Sequence, residues 1–286
     1  MPRCLALLIV PLLAASAIAP AVGAPLVVYA AGDVAECRNR PPEDSGAAKT
    51  AKLIPAGATV LVPGDTAYPF ATAATLASCY EPTWGRHRAT TLAVPGNHDY
   101  VNGRSDDFQA YFGAGAPAEG YFARRLGDWL VIGLDSQRTG EALDRQYEWL
   151  EATLRENAGV RCTLALWHMP AFSSGIEHGP TPKMQRFWAL LEQNGAEFVL
   201  NGHEHFYEAF GPLDAGGEPT ADGMREFVVG TGGARLYPIW NPIHQSRLRL
   251  ARHGVLKLTL DDGSYSWQFI DVAGRVRDRG EAGCRK

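Results

Sequence analysis

Short apolar runs recur along the chain after residue 25, and most of them end at a glycine or another turn residue. Runs of this length, bounded by turn residues, are typical of buried β-strands. We expect such strands at residues 26–31, 58–62, 90–94, 129–134, 162–167 and 197–200.

Segments between these runs have apolar residues at helical spacing. The clearest are residues 144–157 and 183–195, and shorter helical stretches are predicted at residues 47–54 and 70–80. Strands and helices therefore alternate along the first two thirds of the chain.

The C-terminal third has a different pattern, in which strand-like segments follow one another with turn residues between them. These segments are residues 224–233, 247–252, 253–260 and 264–274. An alternating part followed by a β-rich part predicts a layered α/β or α+β sandwich, with two sheets and helices outside. Because no repeat or linker is present, we expect residues 25–286 to form a single domain.

The first 24 residues have the features of a secretory signal peptide. Arg3 precedes an apolar run from Leu5 to Leu13, which Pro11 interrupts, and small residues follow as far as Ala24. A membrane anchor is the alternative, but a transmembrane helix takes about 20 apolar residues and this run is shorter. We therefore expect residues 1–24 to be removed and the mature chain to be periplasmic or secreted, with no membrane attachment.

Export changes how the cysteines are interpreted, because disulfides form in oxidising compartments. Four cysteines remain after the leader, Cys37, Cys79, Cys162 and Cys284. They allow three connectivities. We favour Cys37–Cys79, which would join two neighbouring loops, with Cys162–Cys284, which would tie the C-terminus to a strand. Free buried thiols are the alternative.

Composition is that of an ordinary globular protein, with 46% hydrophobic and 20% charged residues. The formal net charge is −4 and no basic run is present, so a nucleic-acid-binding face is not indicated. We expect a monomer.

Polar residues of the kinds that bind metals follow five of the predicted strands. They are Asp33, then Asp65 and Tyr68, then Asn97, His98 and Asp99, then His168, and last His203 and His205. In an open sheet, ligands bind beyond the carboxyl ends of the strands, so these five loops are expected to converge. Glycines before most of these residues would let the backbone turn sharply.

Each group alone has an ordinary structural explanation. An aspartate after a strand commonly caps a turn or a helix. The Asn-His-Asp segment could satisfy its own loop backbone, and His168 could pack in the core. The ordered set of five is far more specific than any one member, and it contains four of the eight histidines.

In its order GD, GD, GNHD, a lone histidine and GHEH, the set resembles the calcineurin-like metallophosphoesterases. The pattern runs from Asp33 to His205. The resemblance implies an α+β fold of the four-layer αββα sandwich type, with a two-metal site at the strand ends. It also implies hydrolysis of phosphate esters.

One position departs from the commonest pattern of that family. Ala35 occupies the place where most members have a histidine, two residues after the first aspartate. Purple acid phosphatases also lack that histidine, and they have a tyrosine three residues after the second aspartate, the place of Tyr68. The chain therefore resembles the purple acid phosphatase branch in a short, single-domain form.

This resemblance implies one metal held by Asp33, Tyr68 and His205, a second held by Asn97, His168 and His203, and Asp65 between them. A phenolate suits Fe(III), and the other ligands suit a divalent Fe, Zn or Mn. A hydroxide that bridges the two ions would attack the phosphorus atom of a small phosphate monoester.

Three further residues are expected to act on the substrate without binding metal. His98 would bind the phosphate or protonate the leaving group, and Asp99 would orient its ring. His178 lies at about the offset from His168 where purple acid phosphatases carry a substrate-contacting histidine, although a solvated loop histidine is the alternative. Glu204 is expected to point away from the metals and has no assigned role.

Two other functions remain open. A phosphodiesterase or nucleotidase would keep the chemistry and change the substrate, because the loops around the metals set substrate choice. A non-catalytic metal- or phosphate-binding protein is the second alternative, and the complete set of ligands argues against it.

Overall fold

The computed structural model describes residues 24–239 and 242–286. Within these ranges thirteen strands form two sheets. They are β1 (Leu26–Ala30), β2 (Thr59–Pro63), β3 (Thr91–Val94), β4 (Phe122–Leu126), β5 (Trp129–Gly133), β6 (Cys162–Leu166), β7 (Phe198–Asn201), β8 (Tyr207–Phe210), β9 (Arg225–Val229), β10 (Ser246–Leu250), β11 (Gly254–Asp261), β12 (Ser264–Asp271) and β13 (Val276–Gly283).

Five α-helices accompany these strands in the described residues. They are α1 (Gly46–Ala51), α2 (Ala73–Thr75), α3 (Asp106–Phe112), α4 (Gly140–Glu156) and α5 (Pro182–Gln193). Helix α2 continues into a π-helical segment, Leu76–Tyr80, so the helix expected at residues 70–80 begins three residues late.

The strand order is β13-β12-β11-β1-β2-β3 in the first sheet and β10-β8-β9-β7-β6-β5-β4 in the second. Strands β1, β2 and β3 are parallel, and so are β5, β6, β7 and β9. Parallel neighbours have their carboxyl ends at the same edge of a sheet, so the loops after β1, β2, β3, β6 and β7 come together there.

Three apolar layers separate four layers of secondary structure. The central layer joins the facing sides of the two sheets and contains Leu61 and Leu164. The adjacent residue on each strand points the other way: Val60 packs with α1, the π-helical segment and α3, and Ala165 packs with α4 and α5. The expected αββα sandwich is confirmed.

Two disulfides fix peripheral segments to this sandwich. Cys37 is bonded to Cys79 and Cys162 to Cys284, with Cα–Cα distances of 5.8 and 5.5 Å. The connectivity favoured from the sequence is therefore confirmed. The first bond joins the loop after β1 to the π-helical segment, and the second joins the start of β6 to the residue after β13.

None of the helices in the described ranges is long and apolar enough to cross a bilayer. The signal peptide expected at residues 1–24 falls outside the described residues, apart from its last position.

Candidate metal centre

Five loops at one edge of the sandwich bring the expected ligands together. Each loop directly follows a parallel strand: β1, β2, β3, β6 or β7. The side chains that face one another are those of Asp33, Asp65, Tyr68, Asn97, His168, His203 and His205. All of these residues except Asn97 are buried.

A first cluster of donor atoms forms a triangle. Tyr68 Oη lies 2.7 Å from Asp33 Oδ1 and 3.0 Å from His205 Nε2. The third side, from His205 Nε2 to Asp33 Oδ1, is 3.1 Å. A phenol, a carboxylate and an imidazole therefore converge on one point, and hydroxyl and carboxyl oxygens are ligands that a hard cation prefers.

A second cluster is centred on His168. Its Nε2 atom lies 3.0 Å from Asn97 Oδ1 and 3.2 Å from His203 Nδ1. Two nitrogens that each bind a tetrahedral cation at about 2.05 Å are about 3.3 Å apart. The spacing of the two imidazole nitrogens therefore fits a shared cation.

Asp65 lies between the two clusters. Its Oδ2 atom is 3.0 Å from Tyr68 Oη and 3.2 Å from His168 Nε2. Donor atoms of Asp33, Asp65 and His168 all lie within 4.8 Å of one another. One carboxylate is thus placed to serve both clusters.

Contacts behind the ligands fix the orientation of two imidazole rings. Nδ1 of His168 lies 2.9 Å from Pro63 O, and Nδ1 of His205 lies 2.7 Å from Arg235 O. A carbonyl oxygen only accepts, so Nδ1 carries the proton in each ring and Nε2 presents its lone pair to the cluster. This arrangement is typical of histidine ligands.

When no cation is bound, protons balance the charges of the two ligand clusters. Burial lowers the pKa of His168, but attraction to Asp65 and Asp33 outweighs burial and raises it to about 9. Burial, together with repulsion from His168, lowers the pKa of His203. Burial and the charges of Asp33 and Asp65 raise the pKa of Tyr68. A cation that binds here must therefore displace protons from Tyr68 and His168.

Backbone strain is concentrated at the ligands themselves. Asp33, Asp65 and His203 have φ values of 57°, 53° and 72°, a region that non-glycine residues seldom adopt. Gly64, before Asp65, has a φ of 86° and makes the sharp turn that was expected, whereas the glycines before Asp33 and His203 act in another way. Gly202, for example, has no positive φ, but a Cβ atom there would lie 2.8 Å from Pro63 O. Gly202 therefore lets the end of β7 lie close to the end of β2.

His98 lies at the edge of the centre. Its Nε2 atom is 4.0 Å from Asp65 Oδ2, and its side chain is 33% exposed. Nδ1 lies 2.6 Å from Pro69 O and so donates to that carbonyl. The ring is therefore oriented with Nε2 on the side of the clusters and accessible to solvent.

The role expected for Asp99 is wrong. Its carboxylate accepts hydrogen bonds from the backbone N–H groups of Asp65, Thr66 and Gly96, at 2.7, 3.0 and 2.8 Å. The ring of His98 is oriented by Pro69 instead. Asp99 is buried and joins the loop after β2 to the loop after β3, so it positions Asp65 rather than His98.

His178 covers one of the ligands. Its exposed ring stacks on His203, with ring centroids 4.0 Å apart and planes at 25°. Tyr237, which sequence reasoning missed, covers another: its ring stacks on His205 at 4.0 Å and 8°. No motif marks Tyr237, because it lies 32 positions from the histidine that it contacts.

Three buried glutamates hold the loop that carries His178. Glu226 accepts from Ala171 N at 2.9 Å, and Glu208 accepts from Ser174 N at 3.0 Å. Glu204 accepts from His178 N at 3.1 Å and from Gly179 N at 2.7 Å. Glu204 does point away from the ligand clusters, but it has a role that the sequence interpretation did not assign. For Glu208 and Glu226, the available signal was a glutamate within an otherwise apolar strand.

Comparison with known proteins identifies relatives of this chain. The family model for calcineurin-like phosphoesterases matches residues 24–207, a range that includes every expected site residue. Purple acid phosphatase 15 of Arabidopsis thaliana is 25% identical in an alignment over 178 residues, and the match covers 54% of this chain and 33% of that protein.

Solved structures show the same fold at low sequence identity. Purple acid phosphatase PPD1 from yellow lupin (Lupinus luteus) has a TM-score of 0.67 at 18% identity, over 91% of this chain and 54% of that one. GAP50 of Plasmodium, the anchor in the inner membrane complex, has a TM-score of 0.73 at 13% identity, over 92% and 90%. The chain thus spans about a third of the Arabidopsis protein and about half of the lupin chain.

Proposed function

Because this chain belongs to the calcineurin-like phosphoesterase family, we propose that it is a purple acid phosphatase-like enzyme that hydrolyses phosphate monoesters at a two-metal centre. The position of Asp65 carries the proposal. Its Oδ2 atom lies between Tyr68 Oη and His168 Nε2, at 3.0 and 3.2 Å. A carboxylate shared by two clusters of donors is what a pair of neighbouring cations needs.

The family implies two metal ions, and the donor atoms fit them. We assign the first ion to Asp33, Tyr68 and His205, the second to Asn97, His168 and His203, and Asp65 to both. The phenol of Tyr68 favours Fe(III) in the first position, and the second donor set favours divalent Fe, Zn or Mn. Two bound cations would supply an acidified water and neutralise the oxygens of the phosphoryl group.

His98 is proposed to donate a proton or a hydrogen bond to the substrate. Its Nδ1–H is committed to Pro69 O, which leaves Nε2 as the atom available to a phosphoryl or leaving-group oxygen. Partial exposure of the side chain leaves room for a substrate to reach it. General acid catalysis of this kind contributes about 10² to 10⁴ in rate.

We propose that His178 contacts the substrate on the side of the second ligand cluster, which contains His203. Its ring is exposed and stacked on His203, so a substrate at the second ion would meet it directly. The backbone bonds to Glu204 hold its position before any substrate binds. A preorganised donor loses little conformational entropy on binding.

Two disulfides support the further proposal that the enzyme works in the periplasm or outside the cell. Both are formed between cysteines distant in sequence, with separations of 42 and 122 residues. Such bonds persist in oxidising compartments and are rare in the cytosol.

Steady-state kinetics on the metal-loaded protein test the proposal. The substrates are para-nitrophenyl phosphate, bis(para-nitrophenyl) phosphate and a set of nucleotides. We expect the highest kcat/KM on the monoester. A higher kcat/KM on the diester would make the protein a phosphodiesterase, and absence of turnover with every metal at every pH would favour a non-catalytic binding protein.

A further inference from the structure

Tyr237 borders the metal centre, and the chemistry proposed above gives it no role. Its ring stacks on that of His205, a ligand in the first cluster, with ring centroids 4.0 Å apart and planes at 8°. It also meets the ring of His178, at 5.8 Å and 60°. His178 is exposed and stacks in turn on His203 of the second cluster. Tyr237 therefore lies next to both ligand clusters, on the side where His178 faces solvent.

Contacts of the backbone fix the direction in which the Tyr237 side chain extends. Tyr237 N donates to His205 O at 3.1 Å, so the two side chains leave neighbouring points of the backbone. Because their rings then stack face to face, the two side chains run in the same direction. Nε2 of His205 points to the first cluster and lies 3.1 Å from Asp33 Oδ1. A tyrosine side chain is longer than a histidine, so the hydroxyl group of Tyr237 reaches past Nε2 on the side of that cluster.

The hydroxyl group of Tyr237 is available to a ligand. Among the residues that the structure describes, no group forms a hydrogen bond with it, whereas the phenols of Tyr68, Tyr100 and Tyr207 all have carboxylate partners. The ring is half-buried, so the stack on His205 holds it in place while part of it stays open to solvent. Since a phenol has an ordinary pKa of about 10, it can donate a hydrogen bond at neutral pH.

We propose that the hydroxyl group of Tyr237 donates a hydrogen bond to an oxygen of the phosphoryl group of the substrate, beside the first ion. The inference rests on the proposed function and adds a substrate-contacting residue to it. Phosphoryl oxygens carry negative charge, and a hydrogen bond to a charged acceptor is about twice as strong as one between neutral groups. The stack on His205 fixes the ring before a substrate arrives, so little conformational entropy is lost on binding.

Replacement of Tyr237 by phenylalanine tests the proposal, because it removes only the hydroxyl group and keeps the ring that stacks on His205. Binding of inorganic phosphate to the metal-loaded protein is measured by calorimetric titration, and kcat/KM is measured with para-nitrophenyl phosphate. In Tyr237→Phe we expect phosphate to bind about tenfold or more weakly, and kcat/KM to fall by a similar factor. Metal content should equal that of the parent.

Tyr147→Phe is the matched control. Tyr147 lies on α4, outside the loops that carry the ligands, and it is also half-buried with its ring against an aromatic neighbour, Phe187. The control should bind phosphate as tightly as the parent does. Equal phosphate affinity in the parent and in Tyr237→Phe overturns the proposal, and so does an equal loss in the control. Loss of metal from Tyr237→Phe also overturns it, because the hydroxyl group would then act on the ligands instead of the substrate.

Failure of the proposed function gives a different result. If the parent does not hydrolyse para-nitrophenyl phosphate, the phosphatase proposal fails, and the titration with inorganic phosphate still decides the role of Tyr237. Affinity about tenfold lower in Tyr237→Phe than in the parent and control then supports the contact. Equal affinities in all three proteins, or no binding of phosphate by the parent, overturn it. If the parent hydrolyses the substrate and Tyr237→Phe matches it in both measurements, the inference about Tyr237 fails and the proposed function stands.

Discussion

Three of the proposed ligands are held in backbone conformations that cost free energy. Asp33, Asp65 and His203 have positive φ, and such residues cost about 1 to 3 kcal/mol each. Hydrogen bonds compensate part of this cost: His203 N donates to Asp33 Oδ2 at 2.9 Å, and Asp65 N donates to Asp99. Strain therefore coincides with the residues that the chemistry needs.

Replacement of Tyr68 by phenylalanine tests the assignment of the first ion. If Tyr68 binds Fe(III), the pure protein is pink to violet, because phenolate-to-iron charge transfer absorbs visible light. Tyr68→Phe should lose this colour and keep the fold, since only a hydroxyl is removed. A colourless, fully active parent that contains only zinc or manganese by elemental analysis would contradict the iron assignment.

Two histidine variants separate metal binding from substrate binding. His203→Ala removes a proposed ligand, so we expect the protein to lose metal and most activity together. His98→Ala should keep both metals and lose about 10² to 10⁴ in kcat. Metal content by mass spectrometry distinguishes them, and loss of metal in His98→Ala would show that the ligands are assigned incorrectly.

At the scale of elements, three glutamates on neighbouring segments hold the loop between β6 and α5 in place. Glu226 lies on β9 and Glu208 on β8, and Glu204 follows β7. Their carboxylates accept hydrogen bonds from backbone N–H groups that have no acceptor within the loop. Buried N–H groups left without an acceptor cost about 1 to 3 kcal/mol each, so this arrangement orders the loop.

Removal of the carboxylate of Glu204 should act through His178. Glu204→Ala leaves two backbone N–H groups unpaired, so we expect KM to rise about tenfold or kcat to fall, with metal content unchanged. Glu204→Gln keeps an acceptor oxygen and should restore part of the loss. In the background His178→Ala, Glu204→Ala should have no further kinetic effect, whereas additive losses would show that Glu204 acts elsewhere.

Glu197, at the start of β7, gives the sandwich a dependence on pH. Its carboxylate accepts from Arg285 N at 3.0 Å, beside the second disulfide. Burial raises the pKa of Glu197 to about 7. A carboxyl group with a raised pKa stabilises the fold fully below its unfolded pKa of about 4.3, and this contribution is lost as the pH rises through about 7.

Unfolding in urea at pH 5 and pH 8 checks this dependence. The parent should lose about 2 kcal/mol of unfolding free energy between the two values because of Glu197. Glu197→Gln cannot ionise, so its decrease should be smaller by that amount. The comparison cancels the contribution of the metal ligands, which both proteins share, and identical decreases would contradict the assigned pKa.

Elements with clear periodicity were predictable, and those without it were not. Strands β1, β2 and β6 are apolar runs, and α4 has a regular apolar stripe. Strand β13 (VRDRGEAG) lies at a sheet edge, is largely exposed and has almost no apolar residues, so its pairing with β12 leaves no sequence signal. Strand β4 is also an edge strand, and α3 is only seven residues long.

At the scale of the whole molecule, the convergence of the proposed ligands was predictable because each of their loops follows a parallel strand. The contacts among the side chains could not be predicted from the sequence. Asp99 follows His98 directly, yet its carboxylate accepts hydrogen bonds from three backbone N–H groups. The local sequence does not indicate these partners. The stacking of Tyr237 on His205 likewise depends on the tertiary fold, since 32 positions separate the two residues.

Anomalous diffraction from crystals of the metal-loaded protein tests the two-metal centre most directly. Data collected above the absorption edges of the bound metals should show two peaks about 3.5 to 4 Å apart, one on each side of the Asp65 carboxylate. One peak should contact Tyr68 and the other His168. A single peak, or two peaks that do not share Asp65, would contradict the centre proposed here.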